Sequence, residues 1–260
     1  MSEDTLHIAL IQSSLVWENP EENRINFTNQ IITITQKVDM IILPEMFSTG
    51  FTMNASEVAE TMHGDTVSWM QKIAQQKHAA VIGSVVIEED GKYYNRLLFV
   101  HPNGEIDFYD KRHTFTLAGE DKVYTAGTKK LIIDYKGWKI CPLVCYDLRF
   151  PVWSRNVEDY DLLIYVANWP KVRTNAWDAL LKARAIENMS YCIGVNRVGM
   201  DGNNHEYSGH SAAYDVMGNR MDKIPYDEEA LEVVNLNKKE LDTYRKKLNF
   251  LEDRDQFSLE

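Results

Sequence analysis

Lys139-Ile-Cys-Pro-Leu-Val-Cys145-Tyr-Asp-Leu-Arg149 is an apolar run that ends in a thiol and is followed at once by polar residues. Asp39-Met-Ile-Ile-Leu-Pro-Glu45 has the same form and ends in a carboxylate. Short apolar runs of this kind are typical of buried strands. In layered α/β folds, ligand crevices form at the C-terminal ends of strands. The two segments therefore predict that Glu45 and Cys145 meet in one pocket.

Similar runs recur along the chain and predict ten strands. They are Leu6–Leu15, Val38–Leu43, Ala80–Ile87, Arg96–Val100, Leu131–Asp134, Lys139–Val144, Leu162–Ala167, Tyr191–Val195, Ser211–Val216 and Leu231–Leu236. A further strand lies near Phe108, and the Asn-Gly pair within His101–Glu105 predicts the hairpin loop before it.

Capping residues predict where four helices begin between these strands. Strands that alternate with helices favour an α/β fold with layers packed on sheets. The predicted starts are Asn19-Pro20-Glu21-Glu22, for a helix that reaches about Lys37; Asp65; Thr174 or Asn175; and Asn237 with Glu240.

Length and composition predict one domain over residues 1–260, with a core at about 5–250 and a polar, extended tail after about Phe250. The net charge of −11 disfavours a nucleic-acid partner, which requires a basic face. No uninterrupted apolar stretch approaches 18 residues, so no membrane span is predicted. Three cysteines and the absence of a secretory leader at the N-terminus favour the cytoplasm.

A third polar group, Lys111, follows the strand near Phe108, so three complementary groups lie at three strand ends. Taken singly, each has an ordinary explanation: Glu45 as a solvated loop residue, Lys111 as a surface charge, and Cys145 as a small buried residue. No Cys or His spacing is typical of zinc, so no metal is predicted.

Six blocks in order resemble the nitrilase superfamily of carbon–nitrogen hydrolases over about residues 5–250. The segments Glu45–Phe51, Lys111–Glu120 and Cys145–Asn156 are most similar to the bacterial omega-amidases. The six blocks are Leu43-Pro-Glu45-Met-Phe, Asp110-Lys-Arg-His113, Ala118-Gly-Glu120, Cys145-Tyr-Asp-Leu-Arg149-Phe-Pro, Tyr165-Val-Ala-Asn168-Trp-Pro and Ala183-Arg-Ala-Ile-Glu-Asn-Met-Ser-Tyr191.

The resemblance implies a four-layer α-β-β-α sandwich and a catalytic trio that needs no cofactor. Glu45 would be the general base for the Cys145 nucleophile, and Lys111 with the Tyr146 N–H would stabilise the oxyanion. Glu120 would orient Lys111. The resemblance also implies a homodimer that pairs through the Trp177–Asn188 helix and the segment after Arg149.

The expected reaction is hydrolysis of the terminal amide of 2-oxoglutaramate or 2-oxosuccinamate through a cysteine thioester. An arginine would bind the substrate carboxylate, and Arg149, Arg173 and Arg197 are candidates, with a structural salt bridge as the alternative for Arg149. Four aromatic residues could wall a small pocket, with core packing as the alternative for each: Phe51, Phe115, Trp169 and Trp177.

Three other functions remain open at this stage. The chain could be another amidase or a carbamoylase of the same superfamily. A carbamoylase would release carbon dioxide with the ammonia. The chain could be an acyltransferase, in which an amine or hydroxyl resolves the thioester. A non-catalytic scaffold is the third, and the intact set of Glu45, Lys111 and Cys145 disfavours it.

Overall fold

Both faces of the first strand are buried. In the computed structural model, which describes residues 4–258, strand β1 (Thr5–Gln12) places Leu6, Ile8 and Leu10 in one core cluster and Ala9 and Ile11 in another. Side chains of a strand alternate between its two faces. The sheet that contains β1 is therefore covered on both sides. The ends of the predicted domain, residues 1–3 and 259–260, lie outside the described residues.

Two large sheets form the centre of the molecule. The first has the strand order β13-β1-β2-β3-β4-β5 and the second has the order β12-β9-β8-β7-β6, while β10 and β11 form a separate hairpin. After β1, the strands are β2 (Met40–Ile42), β3 (Ala80–Glu89), β4 (Lys92–Val100), β5 (Ile106–Asp110), β6 (Ile133–Tyr135), β7 (Trp138–Val144), β8 (Leu162–Ala167), β9 (Tyr191–Asn196), β10 (Val198–Met200), β11 (Glu206–Ser208), β12 (Ala212–Tyr214) and β13 (Ala230–Asn237).

Helices cover the outer faces of the two sheets. Helices α1 and α3 contribute Phe27 and Met70 to the cluster outside the first sheet, whereas α5 packs Trp177 and Leu181 against Gly194 of β9. The order of layers confirms the predicted α-β-β-α sandwich. The helices are α1 (Pro20–Ile32), α2 (Ala55–Val58), α3 (Asp65–Lys77), α4 (Pro151–Ser154), α5 (Thr174–Asn188) and α6 (Lys238–Leu248). None of the helices within residues 4–258 is long and apolar enough to cross a membrane.

Several predicted boundaries needed correction. Helix α1 ends at Ile32 instead of about Lys37, because the chain turns at Thr33 so that Ile34 is buried. Asp65 is the first residue of α3 and not its cap; the Glu60 carboxylate instead accepts the Thr66 N–H. The tail contains a short 3₁₀ helix, Phe250–Asp253, before it extends.

Other local predictions are confirmed. The Asn237 side chain accepts the Glu240 N–H at the start of α6, as the Asn19 side chain accepts the Glu22 N–H at the start of α1. The loop between β4 and β5 forms the expected hairpin, in which Gly104 adopts a φ of +90°. This left-handed conformation explains why the Asn-Gly pair marks the turn.

Candidate active site

Three strand ends bring the predicted trio together. Cys145 directly follows β7, Lys111 directly follows β5, and Glu45 lies three residues beyond β2. Cys145 has a φ of +44° and opens the 3₁₀ helix Cys145–Arg149. A left-handed conformation in a residue other than glycine costs on the order of 1–3 kcal/mol and is common at functional sites. This turn directs the thiol into a pocket that Lys111 also lines.

Lys111 joins two buried carboxylates. Its Nζ lies 2.8 Å from Glu45 Oε1 and 2.9 Å from Glu120 Oε2. Asn95 Nδ2 also donates to both carboxylates, at 2.8 Å to Glu45 and 3.1 Å to Glu120. The other Glu45 oxygen accepts the main-chain N–H of Asn168 at 2.8 Å. Donors on both oxygens therefore fix the Glu45 carboxylate beside the thiol.

Burial and neighbouring charges shift the pKa values of Lys111, Glu120 and Cys145. Burial by itself lowers the pKa of Lys111, but Glu120 and Glu45 together raise it above its ordinary value. Burial raises the pKa of Glu120, against the opposing effect of Lys111. Burial, and then the charge of Glu45, raises the pKa of the Cys145 thiol well above its usual range, and a hydrogen bond to Glu45 adds to that rise.

Cys145 is therefore a protonated thiol at rest, beside Glu45 and Lys111. A thiol attacks as its thiolate, so a nucleophile of this kind needs an adjacent base. Glu45, which is hydrogen-bonded to the thiol, is the candidate for that base. Within residues 4–258, no group of His, Cys, Asp and Glu side chains is arranged to hold a metal ion.

The pocket above Cys145 has a volume of about 290 Å³. Most of the residues predicted to contact substrate line it, and the Phe115 and Tyr146 rings touch with centroids 4.9 Å apart. The predicted residues that line it, besides Cys145 and Lys111, are Phe51, Phe115, Tyr146, Arg149, Trp169 and Arg173. The predicted residues thus form an aromatic wall with two cations in it.

Arg149 and Arg173 make no ion pair with any described residue. The guanidinium of Arg149 lies over the Trp169 ring, 4.8 Å from its centroid. That of Arg173 lies over the Phe115 ring at 5.1 Å. The salt bridge considered for Arg149 is absent from the described part of the chain. Two guanidinium groups held by aromatic rings are thus left to meet an anion in the pocket.

Two predicted contacts do not reach the pocket. Arg197 is fully buried, donates to the main-chain oxygens of Val198 and Met200, and packs on the Tyr207 ring. Trp177 lies behind Trp169, with ring centroids 5.5 Å apart. Both side chains therefore support the wall from behind and do not line it.

Sequence reasoning missed a hairpin and two amides. The tip of the β10–β11 hairpin lines the pocket with Asp201, Asn203 and His205. Its many turn residues indicate a loop but give no sign of a site. Asn168 lies within a block quoted for the resemblance, and Asn95 is a polar residue in the buried part of β4. A buried amide in an apolar run was the available signal, since such a group must find partners.

The chain is similar to known proteins over most of its length. A family model described as carbon–nitrogen hydrolase matches residues 7–246. The omega-amidase YafV of Escherichia coli (strain K12) is 45% identical over 98% of each chain. The 2-oxoglutaramate amidase of Bacillus subtilis (strain 168) is 33% identical over 81% of this chain and 83% of its own.

A solved structure extends the likeness to the fold. A CN-hydrolase superfamily protein from Xanthomonas campestris, with an arsenic adduct in its active site, is 40% identical to this chain. The TM-score is 0.97, and the match covers 99% of this chain and 100% of the other. These matches confirm the family that the sequence motifs predicted: the chain belongs to the carbon–nitrogen hydrolases.

Proposed function

We propose that this protein is an omega-amidase that hydrolyses the terminal amide of small 2-oxo dicarboxylic acid monoamides, such as 2-oxoglutaramate and 2-oxosuccinamate. The products are the 2-oxo acid and ammonia. The observation that carries the proposal is a thiol beside a buried Glu–Lys pair, in the same small pocket as two guanidinium groups that form no ion pair with any residue among 4–258. The thiol with its Glu–Lys pair is suited to attack an amide carbon, and the two guanidinium groups are suited to bind a carboxylate.

Acylation begins with the thiol. Glu45 takes the proton of Cys145 as Sγ attacks the amide carbon, and the carbonyl oxygen becomes an oxyanion. Lys111 Nζ and the Tyr146 N–H stabilise that charge; Tyr146 lies in the first turn of a 3₁₀ helix, where N–H groups have no acceptor within the helix. The carbon–nitrogen bond then breaks, and Glu45 returns its proton to the leaving nitrogen, which departs as ammonia.

Hydrolysis of the thioester repeats these steps with water. Glu45 removes a proton from the water as its oxygen attacks the thioester carbon. The carbon–sulfur bond then breaks to release the acid, and Glu45 returns the proton to Sγ, which regenerates the thiol. Glu120 stays hydrogen-bonded to Lys111 throughout and keeps the ammonium directed at the oxyanion. No cofactor takes part.

Substrate selection follows from the walls of the pocket. A volume of about 290 Å³ is at the lower end of the range of about 300–1,000 Å³ that ligand pockets span. Four- and five-carbon acids fit such a space with little room to spare. Arg149 and Arg173 bind the carboxylate at the end of the substrate remote from Cys145, while Phe51 and Trp169 enclose its carbon chain.

The proposal includes a homodimer in the cytoplasm. The exposed faces of α4 and α5 carry Val152 and Ile186, which are 51% and 45% exposed, and pairing of two copies would cover them. This is the surface that the family resemblance implies. All three cysteines, Cys141, Cys145 and Cys192, are free and buried, which suits a reducing compartment. Sedimentation at micromolar concentration tests the dimer, and a 30 kDa monomer would contradict it.

Ammonia release tests the function. We expect wild-type protein to release ammonia from 2-oxoglutaramate and not from glutamine or a simple aliphatic amide. Cys145→Ala abolishes the release. Cys192→Ala, which alters a buried thiol outside the pocket, retains it. Release only from the other amides would refute the proposed substrate, and carbon dioxide released with the ammonia would indicate a carbamoylase.

A further inference from the structure

One buried carboxylate next to the nucleophile has no part in the chemistry above. Asp147 has no exposed surface, and none of the described lysines or arginines pairs with it. It accepts four hydrogen bonds instead. Its Oδ2 accepts from the Val144 N–H at 3.0 Å and the Tyr109 hydroxyl at 2.8 Å. Its Oδ1 accepts from the main-chain N–H of His113 at 3.0 Å, and its distance to His113 Nδ1 is 2.7 Å.

These four donors come from the two segments that carry the proposed chemistry. Tyr109 and His113 lie two residues before and two residues after Lys111. Val144 directly precedes Cys145, and Asp147 itself follows it by two residues. The Asp147 carboxylate therefore connects the residues on both sides of Lys111 to the turn that holds Cys145.

We propose that Asp147 is a positioning residue, which fixes Lys111 relative to Cys145 by holding the Tyr109–His113 segment against the Val144–Asp147 turn. The proposal rests on the proposed function, because it assigns a purpose to this geometry in amide hydrolysis. Asp147 contacts no reacting atom and acts only through the residues it holds.

The free-energy cost of burying the Asp147 carboxylate indicates that its position is not a chance result of packing. A buried charge costs several kcal/mol unless hydrogen bonds compensate for it. The bond from Val144 closes around Cys145, whose φ of +44° needs a rigid surrounding to persist. A carboxylate that pairs with no described lysine or arginine thus stabilises a strained turn and joins it to a second segment.

The Tyr109 hydroxyl is fixed as a donor. It accepts hydrogen bonds from Trp153 Nε1 at 3.0 Å and from the Arg112 N–H at 3.2 Å, so its own proton is directed to Asp147. Burial, followed by the charge of Asp147, raises the pKa of Tyr109 well above its usual value. The hydroxyl therefore holds its proton more firmly than an exposed tyrosine does.

His113 extends the network to the pocket. Its ring stacks on Phe150 with centroids 3.6 Å apart, and Phe150 contacts Tyr146 at 5.1 Å. Tyr146 in turn contacts Phe115 in the pocket wall. A shift of His113 would therefore disturb the aromatic wall as well as Lys111.

The first test compares Asp147→Asn with Asp39→Asn. Asp39 is another buried carboxylate that accepts a main-chain N–H, but it lies outside the pocket. In Asp147→Asn, an amide nitrogen replaces one carboxylate oxygen and cannot accept hydrogen bonds. Two of the four hydrogen bonds to Asp147 are therefore lost. We expect kcat to fall by about 10- to 100-fold with KM changed by less than about threefold, as for a small misplacement of reacting groups. Asp39→Asn should lose stability but keep its kcat.

A second readout does not depend on the substrate. Lys111 lowers the pKa of the Cys145 thiol, so a displaced Lys111 should move the pH profile of Cys145 alkylation by iodoacetamide to higher pH. Mass spectrometry assigns the modified cysteine. Asp147→Asn should show this shift even if 2-oxoglutaramate proves not to be the substrate, which separates failure of this proposal from failure of the proposed function. An unshifted profile with unchanged kcat would overturn it.

His113 supplies a test if Asp147→Asn does not fold. His113→Asn retains a side-chain N–H near the position of Nδ1, whereas His113→Leu removes it. We expect His113→Leu to lose kcat and shift the alkylation profile, and His113→Asn to restore most of both. Equal kcat values and equal alkylation profiles in the two folded variants would refute the positioning role of Asp147.

Discussion

Lys111 Nζ lies 2.8 Å from Glu45 Oε1 in a region closed to solvent, and the same ammonium also contacts Glu120. One cation thus serves two buried carboxylates. Removing one partner of such a group leaves an uncompensated buried charge. The arrangement keeps Lys111 charged, since both carboxylates raise its pKa, while the thiol beside it keeps its proton.

Glu45→Gln tests the proposal that Glu45 is the base that activates Cys145. The amide has the size of the carboxylate but cannot take a proton, so we expect kcat to fall by about 10²- to 10⁴-fold. The charge of Glu45 raises the pKa of the Cys145 thiol, so its removal should lower that pKa. Alkylation of Cys145 by iodoacetamide at neutral pH should therefore persist or become faster. A variant that lost both activities would contradict the assignment of Glu45 as base, provided that its thermal melting matched that of wild type.

Arg149→Met and Arg173→Met test the carboxylate site. A hydrogen bond to a charged group contributes about 1.5–3 kcal/mol, so each change should raise KM for 2-oxoglutaramate by about 10- to 100-fold. Steady-state kinetics on 2-oxoglutaramate measures this. Lys171→Met is the matched control, because Lys171 lies two residues from Arg173 and already pairs with Glu206 and Asp227. An equal rise in KM in the control would show a general loss of charge and not a specific site.

Asp39 gives the fold a pH dependence of its own. Burial by itself raises the pKa of Asp39, but the hydrogen bond from Lys136 and the N–H of His7 lower it below its ordinary value of 3.8. A depressed pKa in the folded state means that the stabilisation is present above pH 4 and is lost as the pH falls through the folded pKa. We expect Asp39→Asn to lower the free energy of unfolding at pH 7 and to weaken its decline in acid.

Urea denaturation of wild type and Asp39→Asn at several pH values between 3 and 7 measures this difference. The loss at pH 7 should be about 1–3 kcal/mol, the cost of losing a buried charged partner. The two curves should converge toward pH 3. A constant offset at every pH would show that packing, and not the charge, carries the effect.

Sequence patterns predicted eleven of the thirteen strands within residues 4–258 and the meeting of Glu45, Lys111 and Cys145, because both depend on local order. An apolar run followed by Glu45 or Cys145 marks a strand end, and strand ends of layered α/β folds meet at one edge. The mixed sheet order, with β13 beside β1, depends on pairing between distant segments that no local pattern encodes. Arg197 shows the same limit, since only tertiary packing decides that it is buried behind Tyr207.

Helix ends and hairpin tips were predicted less well for a related reason. The start of α1 is fixed by the Asn19 cap, a local contact, but its end at Ile32 depends on burial of Ile34 against other layers. The tip of the β10–β11 hairpin reaches the pocket only because the hairpin folds over it. Its three-residue strands are too short to show a periodic pattern.

Gly194→Ala tests the packing behind the pocket wall. A Cβ on Gly194 would lie 2.5 Å from Leu181 Cδ1 and 2.6 Å from Trp177 Cζ2, closer than carbon atoms can approach. Relief requires the Leu181 and Trp177 side chains to shift away from β9, at a cost of about 1–3 kcal/mol for an overpacked core. For a chain of this size, each kcal/mol lowers Tm by about 2–4 °C.

The displacement should also reach the substrate. Trp177 packs on Trp169, which lines the pocket, so KM for 2-oxoglutaramate should rise along with the loss in Tm. Gly91→Ala is the control: its Cβ would meet nothing within 4 Å, and its φ of +71° gives it a conformational cost at a residue that does not line the pocket. Calorimetry and steady-state kinetics on both variants test this prediction. An equal rise in KM for Gly91→Ala and Gly194→Ala would mean that KM depends on overall stability and not on the contact of Trp177 with Trp169.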